Sequence, residues 1–290
     1  MSARNLFLTT LASSALAACA TPKADSPAVL AAGAAACTRW VDGLGDQAGA
    51  GAGVFHALGP NVGCFAGTIS GDADAAGTQQ LAAWAAIPSQ SSGKLLVIRS
   101  HGGDAEVALG IAEDLQRQDT TVIADAICAS SCANYLFAGV ANRHAVPGAL
   151  VLFHGGFSDP ARVQVEQSLD AFYAQAGEPI TDVAADRQRL LATFDENRRR
   201  QDDLLTRAGV SIDIIHYVEA TDKTTLDPAL CGGNTVLPRN FVFFSAADAK
   251  QLGLHVKSGL VEDDPVAVNE AILRYGSAPA LFIACRLPVR

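Results

Sequence analysis

The chain has 290 residues, 49% of them hydrophobic, with 21 basic against 30 acidic side chains and a net charge of −9. That length buries one full core, and no composition break divides the part after Gly53. An acidic balance with no Lys/Arg block lacks the electrostatic footprint of a nucleic-acid binder, and few aromatics with 26 glycines fit an Ala/Gly-rich α/β domain.

At the N-terminus, Arg4 precedes an apolar run from Leu6 to Ala18 that is too short to span a membrane. Its end, Leu16-Ala17-Ala18-Cys19, resembles the lipobox of bacterial lipoproteins, in which the cysteine is diacylated through sulfur and becomes the new N-terminus. An ordinary secretory signal cleaved elsewhere is the alternative, and both readings export the chain. With Ala20 after the cysteine, the resemblance implies a lipid anchor in the outer membrane, on the periplasmic side of the envelope. Residues 1–18 are therefore expected to be a signal peptide and residues 19–53 a tether and low-complexity segment. A short helix over Ala28 to Ala36 is the alternative there. Residues 54–290 are expected to form the one domain.

Removing Cys19 leaves six cysteines, an even number suited to a compartment where disulfides persist. Six cysteines allow 15 pairings. A neighbour-wise scheme pairs Cys37 with Cys64, Cys128 with Cys132, and Cys231 with Cys285. A zinc site from Cys128, Cys132 and His154 is the rival, and it lacks a fourth ligand at a recognisable spacing.

From Gly63 the pattern tightens into a short strand, Cys64 to Ile69, and then an Ala-rich helix to about Ala86. Lys94 to Ile98 is the continuous apolar run of a buried parallel strand. Gly102-Gly103-Asp104 follows, and then Val107, Ala108, Ile111, Ala112 and Leu115 recur at helical spacing. A glycine pair at the carboxyl end of a parallel strand can turn sharply and aim N–H groups at an oxyanion, or it can be a plain structural turn. Thr120 to Ile127 is the next strand. Cys128-Ala129-Ser130-Ser131-Cys132 opens an apolar helix, where a serine is either an N-cap or a nucleophile. The strand Ala149 to Phe153 then ends in His154, a histidine at the carboxyl end of a neighbouring strand.

These pieces resemble a known family. Ser100-His101-Gly102-Gly103, Ala108-Leu109-Gly110-Ile111, Ala129-Ser130-Ser131-Cys132-Ala133, Ala138-Gly139, Arg143, Pro147 and Phe153-His154 are similar to the proteolytic subunit of Clp protease and the Clp/crotonase superfamily. Ser245 to Leu254 extends the resemblance, which covers about Gly67 to Val261. The closest likeness is to exported Clp-like proteins with a Cys-x-Ser-x-Cys motif. The resemblance implies Ser130 as nucleophile, with Ser131 as its competitor, His154 as general base, and the N–H groups of Gly102 and Ser131 as oxyanion hole. His101 and Cys132 depart from the proline and glycine usual in the family. Cysteines four apart on a helix bring their Cα atoms within disulfide range, roughly 6 Å. The position expected to hold the triad aspartate falls near Val218 or Glu219, which leaves Glu219 and Asp222 as candidates for the acid. The amphipathic run Asp182 to Ala208 matches the helix by which family members stack into rings, so a homo-oligomer is implied. Pro228 to Pro238 reads as a loop, Asn240 to Ser245 as a returning strand, and Ala280 to Cys285 as an edge strand pinned by Cys231.

The expected fold is α/β, a single domain of Clp/crotonase-like repeated ββα units. The expected activity is that of an exported, lipid-anchored serine hydrolase, a peptidase on a peptide or protein substrate, with no cofactor and no metal. The alternatives are a non-catalytic envelope lipoprotein that uses the fold for binding or assembly, and, less compatible with export, an acyl-CoA enzyme.

Overall fold

The computed structural model describes residues 26–44, 52–88, 93–175, 182–233, 238–256, 264–275 and 283–289. The lipobox-like segment ending at Cys19 lies outside the described residues.

The fold is mixed α/β around a mostly parallel sheet. Strand β1 (Val54–Ala57) is antiparallel to β2 (Val62–Ala66), and β2, β3 (Leu95–Ser100) and β4 (Thr121–Ala129) lie side by side in parallel. All nine residues of β4 are buried, as expected of a parallel strand covered on both faces. One cover is helices α2 (Ala76–Ala86) and α3 (Ala105–Arg117), which meet Leu96, Ile98, Val122 and Ala124. The other cover is helix α1 (Pro27–Gly43), whose Leu30 and Cys37 pack on Leu95, Val97 and Ile123.

Helix α1 corrects the expectation of a tether. Composition suggested one, but Leu30, Gly33, Cys37 and Val41 are all buried and recur every three or four residues, a helical stripe. A Cβ on Gly33 would come within 2.5 Å of Leu95 Cδ2, so the glycine lets the helix lie close to the sheet.

The far edge of β4 carries two short parallel strands in series. Strand β5 (Arg143–Ala145) pairs with Val122–Ala124, and β6 (Leu150–Leu152) pairs with Ile127–Ala129. Between the two stretches β4 bends, with Ala126 at φ 62° and a register slip against β3 from Ile98↔Ala124 to Ser100↔Cys128. Arg99 holds the nearly buried Asp125 of this bulge at 2.8 Å. Such a bulge re-aims the end of its strand, here the end that leads to Ser130.

Beyond the sheet, helix α4 (Asp159–Gln175) and helix α5 (Val183–Arg207) pack on one another, and α6 (Asp213–Ala220) follows. The expected amphipathic helix is α5; α4 was not anticipated. Strands β7 (Arg239–Phe243) and β8 (Ile283–Arg286) form a separate parallel pair, with α7 (Ala246–Gln251) and α8 (Pro265–Tyr275) between them in sequence. Phe153 and Val242 exchange two backbone hydrogen bonds of 2.8 Å, which join that pair to the chain just after β6.

Three disulfides are present, and they follow the neighbour-wise scheme. Cys37–Cys64 ties α1 to β2, Cys128–Cys132 ties the end of β4 to the π-helix Cys132–Phe137, and Cys231–Cys285 ties the short 3-10 helix Pro228–Cys231 to β8. Bridges of this kind persist in oxidising compartments. Among the described residues, no helix is long and apolar enough to cross a membrane.

Candidate active site

Strands β3, β4 and β6 deliver three groups from their carboxyl ends to one place. Ser130 follows β4 in the left-handed region, at φ 57°, a conformation that costs a side-chain-bearing residue roughly 1–2 kcal/mol. It is held there from both sides. Its N–H donates to Leu152 O at 3.0 Å, its carbonyl accepts from Asn134 N–H at 2.9 Å, and the Cys128–Cys132 bridge spans it. This turn brings Ser130 Oγ to 2.5 Å from His154 Nε2. The competing hydroxyl, Ser131 Oγ, is buried and has no hydrogen-bond partner among the described residues.

His154 is positioned through its backbone and its ring. Asn134 Nδ2 donates to His154 O at 3.0 Å and to Gly155 O at 2.6 Å, and Phe241 meets the imidazole edge-to-face at 5.1 Å. Burial, and then the nearby Lys223 ammonium, push the imidazole pKa below its ordinary value. Both effects disfavour the charged ring.

No carboxylate orients this histidine among the described residues. Asp222 is exposed and caps the 3-10 helix Lys223–Thr225. Its Oδ1 accepts from Thr224 N–H at 3.0 Å and from Thr224 Oγ1 at 2.6 Å, which holds its pKa below the usual carboxylate range. Asp222 is therefore a cap and not the triad acid. Val218, where the acid is expected, is fully buried on α6. Glu219, the next residue, borders the site without a hydrogen bond to His154, its carboxylate packed on the face of Gly155.

The glycine pair also needs a correction. Gly102 N–H donates to Ser100 Oγ at 3.0 Å, and that hydroxyl donates to Gly67 O at 2.6 Å, so Gly102 is engaged in a turn and is not an oxyanion donor. A serine two residues before a glycine is a turn signal that sequence reading could have used. Gly102 has a different task. At φ 94°, a Cβ there would come within 2.5 Å of Ser130 Cβ, so only glycine lets the two turns touch. Gly103 borders the site instead, and among the described residues neither its N–H nor that of Ser131 has an acceptor.

Gly103, Ser130, Ser131 and His154 open on a cleft of about 280 Å³ whose walls include Tyr135, Phe157 and Phe194. Gln201 fixes two of these walls. Its Oε1 accepts from Tyr135 Oη at 3.1 Å and from Phe157 N–H at 3.0 Å, and its Nε2 donates to Phe157 O at 3.0 Å. Asn134, Phe157, Phe194 and Gln201 escaped sequence reading because nothing local marks them. The rival zinc reading loses both thiolates to the Cys128–Cys132 bridge. Chemically, the arrangement pairs a nucleophilic hydroxyl with a neutral base and offers two N–H donors beside a part-apolar cleft. No protein-family model matches the chain, and no curated protein matches it either.

Proposed function

We propose that this is an exported, lipid-anchored serine hydrolase of the Clp/crotonase type, a peptidase that works through an acyl-enzyme at Ser130. The observation that carries the reading is the 2.5 Å approach of Ser130 Oγ to His154 Nε2 on a strained turn beside Gly103 and Ser131. The parallel β2–β3–β4 ladder with its site at the strand ends agrees with the family resemblance of the motifs around Gly102, Ser130 and His154. Three disulfides agree with export, and the lipobox-like Cys19 with anchoring on the periplasmic side of an outer membrane.

His154 accepts the Ser130 proton at Nε2 as Oγ attacks the substrate carbonyl carbon. The carbonyl oxygen becomes an oxyanion facing the Gly103 and Ser131 N–H groups. The imidazolium then returns its proton to the leaving group as the carbonyl re-forms, which leaves an ester on Ser130. Water, deprotonated by the same nitrogen, hydrolyses that ester.

A fluorophosphonate should label the purified wild-type protein on Ser130 and leave Ser130→Ala unlabelled. That no carboxylate among the described residues bonds to His154 favours a second reading, a non-catalytic envelope protein that keeps the fold for binding or assembly. If the wild type takes no label while folded, that reading replaces the first.

A further inference from the structure

The carboxylate that the dyad does not use stands in the cleft. Glu219 lies on α6 beside Ile215 and Val218, which are buried and anchor the helix. Its carboxylate packs so closely on Gly155 that a Cβ there would fall 1.7 Å from Oε2. Gly155 is the residue after the base, so a charge at Glu219 sits one residue beyond the reacting centre. Among the described residues Glu219 makes no hydrogen bond and no ion pair. Lys223, the cation near His154, is not part of the cleft wall, and it donates to Val218 O at 3.0 Å.

A carboxylate that lines a cleft with no protein partner among the described residues is left to solvent, so a cation that enters the cleft can pair with it. The cleft supplies the other half of a cation site. Phe157 is 6.2 Å from Tyr135 and 5.3 Å from Phe194, ring centre to ring centre, and π-faces attract an ammonium or guanidinium. The net charge of −9 draws cations toward the molecule from outside.

We infer that Glu219 is a specificity residue that selects an acyl group carrying a positive charge, either a lysine or arginine side chain or a free α-amine. The inference rests on the hydrolase reading above. It assigns Glu219 to the substrate rather than to His154, and it accounts for a carboxylate in the cleft that makes no hydrogen bond to the imidazole.

The test uses α-aminoalkyl diphenyl phosphonates that trap Ser130, in three forms: an α-N-acetylated probe with a free, charged 4-aminobutyl side chain, its α-N-acetylated neutral butyl counterpart, and the butyl form with a free α-amine. The readout is the ratio of labelling rates. The acetylated cationic probe is expected to react about tenfold or more faster than the neutral one if the cation is a side chain, as a partly desolvated ion pair allows. The free-amine probe gains instead if the cation is an N-terminus. Glu219→Gln should bring either ratio close to one, and Glu219→Asp should restore part of it. Equal rates for all three probes on the wild type would overturn the inference while leaving the hydrolase reading intact. An equal fall with cationic and neutral probes in Glu219→Gln would also overturn it, by making Glu219 a positioning group for the base. No labelling by any probe or by a fluorophosphonate removes the hydrolase reading, and the inference falls with it.

Discussion

The three disulfides are expected to differ sharply in what they hold, and the difference can be worked from loop lengths. They span 27, 4 and 54 residues, for Cys37–Cys64, Cys128–Cys132 and Cys231–Cys285 respectively. Loop closure in the unfolded chain then contributes about 3.6, about 1.9 and about 4.2 kcal/mol in the chain-entropy model. All six cysteines are fully buried, so the loss of sulfur on changing each pair to alanine is similar and largely drops out of the comparison. Cys128→Ala/Cys132→Ala should therefore be the mildest of the three pairs in global stability, by about 2 kcal/mol, read from urea unfolding. In reaction rate the order should reverse. Ser130 is the central residue of that short loop, and its φ of 57° costs roughly as much as the bridge supplies. Without the bridge the turn can relax and carry Oγ away from His154, which should slow fluorophosphonate labelling about 10- to 25-fold, the upper figure being 1.9 kcal/mol as a rate ratio. The reasoning is refuted if the Cys128/Cys132 pair proves the most destabilising of the three, or if its loss leaves the labelling rate unchanged.

Gly103→Ala should slow labelling by roughly 10²–10³-fold, the usual effect of losing one oxyanion donor, measured beside circular dichroism to verify folding. Its φ is 142° and a Cβ would lie 1.9 Å from Ile69 O, so the backbone must shift. Asp222→Asn should leave the labelling rate and its pH profile within about twofold, because asparagine can keep the cap on Thr224 and the carboxylate touches nothing in the cleft. A large effect of that change on the pH profile would return Asp222 to the base.

Most of the sheet was legible because parallel strands buried on both faces print as apolar runs, unbroken from Leu95 to Ile98 and interrupted only by Asp125 from Val122 to Ile127. Helix α1 was not, because the alanines Ala28, Ala31, Ala32 and Ala35 occupy the first turns of its outer face and blur a stripe made of only Leu30, Gly33, Cys37 and Val41. The pairing of Ser130 with His154 could be named from the order of motifs, but the glycine N–H beside it could not. Which glycine of a pair frees its N–H depends on where the neighbouring Ser100 hydroxyl turns, a tertiary fact fixed by Gly67 O. The acid was the hardest part to read. Glu219 and Asp222 lie three residues apart near the end of α6, and only packing separates a cleft carboxylate from an exposed cap.

A histidine that no carboxylate hydrogen-bonds among the described residues works against its own electrostatics, and Lys223 sharpens the problem. In the ground state, burial and the Lys223 charge keep the imidazole neutral, ready to accept the Ser130 proton. In the transition state of the proposed reaction the same two influences would oppose the imidazolium that forms. The base should thus remain active below the ordinary histidine pKa of about 6.5, while its maximum rate is modest. The sign follows from the depressed pKa: activity is full above it and is lost as pH falls through it, so the acid limb lies below that of a solvated histidine. Lys223→Gln removes the charge and keeps an amide donor for Val218 O. The acid limb of the labelling rate should then move upward in pH, and the plateau at pH 8 should rise, because the imidazolium is no longer repelled. A limb that stays in place means that burial alone sets the pKa. A plateau that falls means that Lys223 helps catalysis, by holding α6 or by meeting the oxyanion, and the dyad would then have a third member of the opposite charge to the one expected.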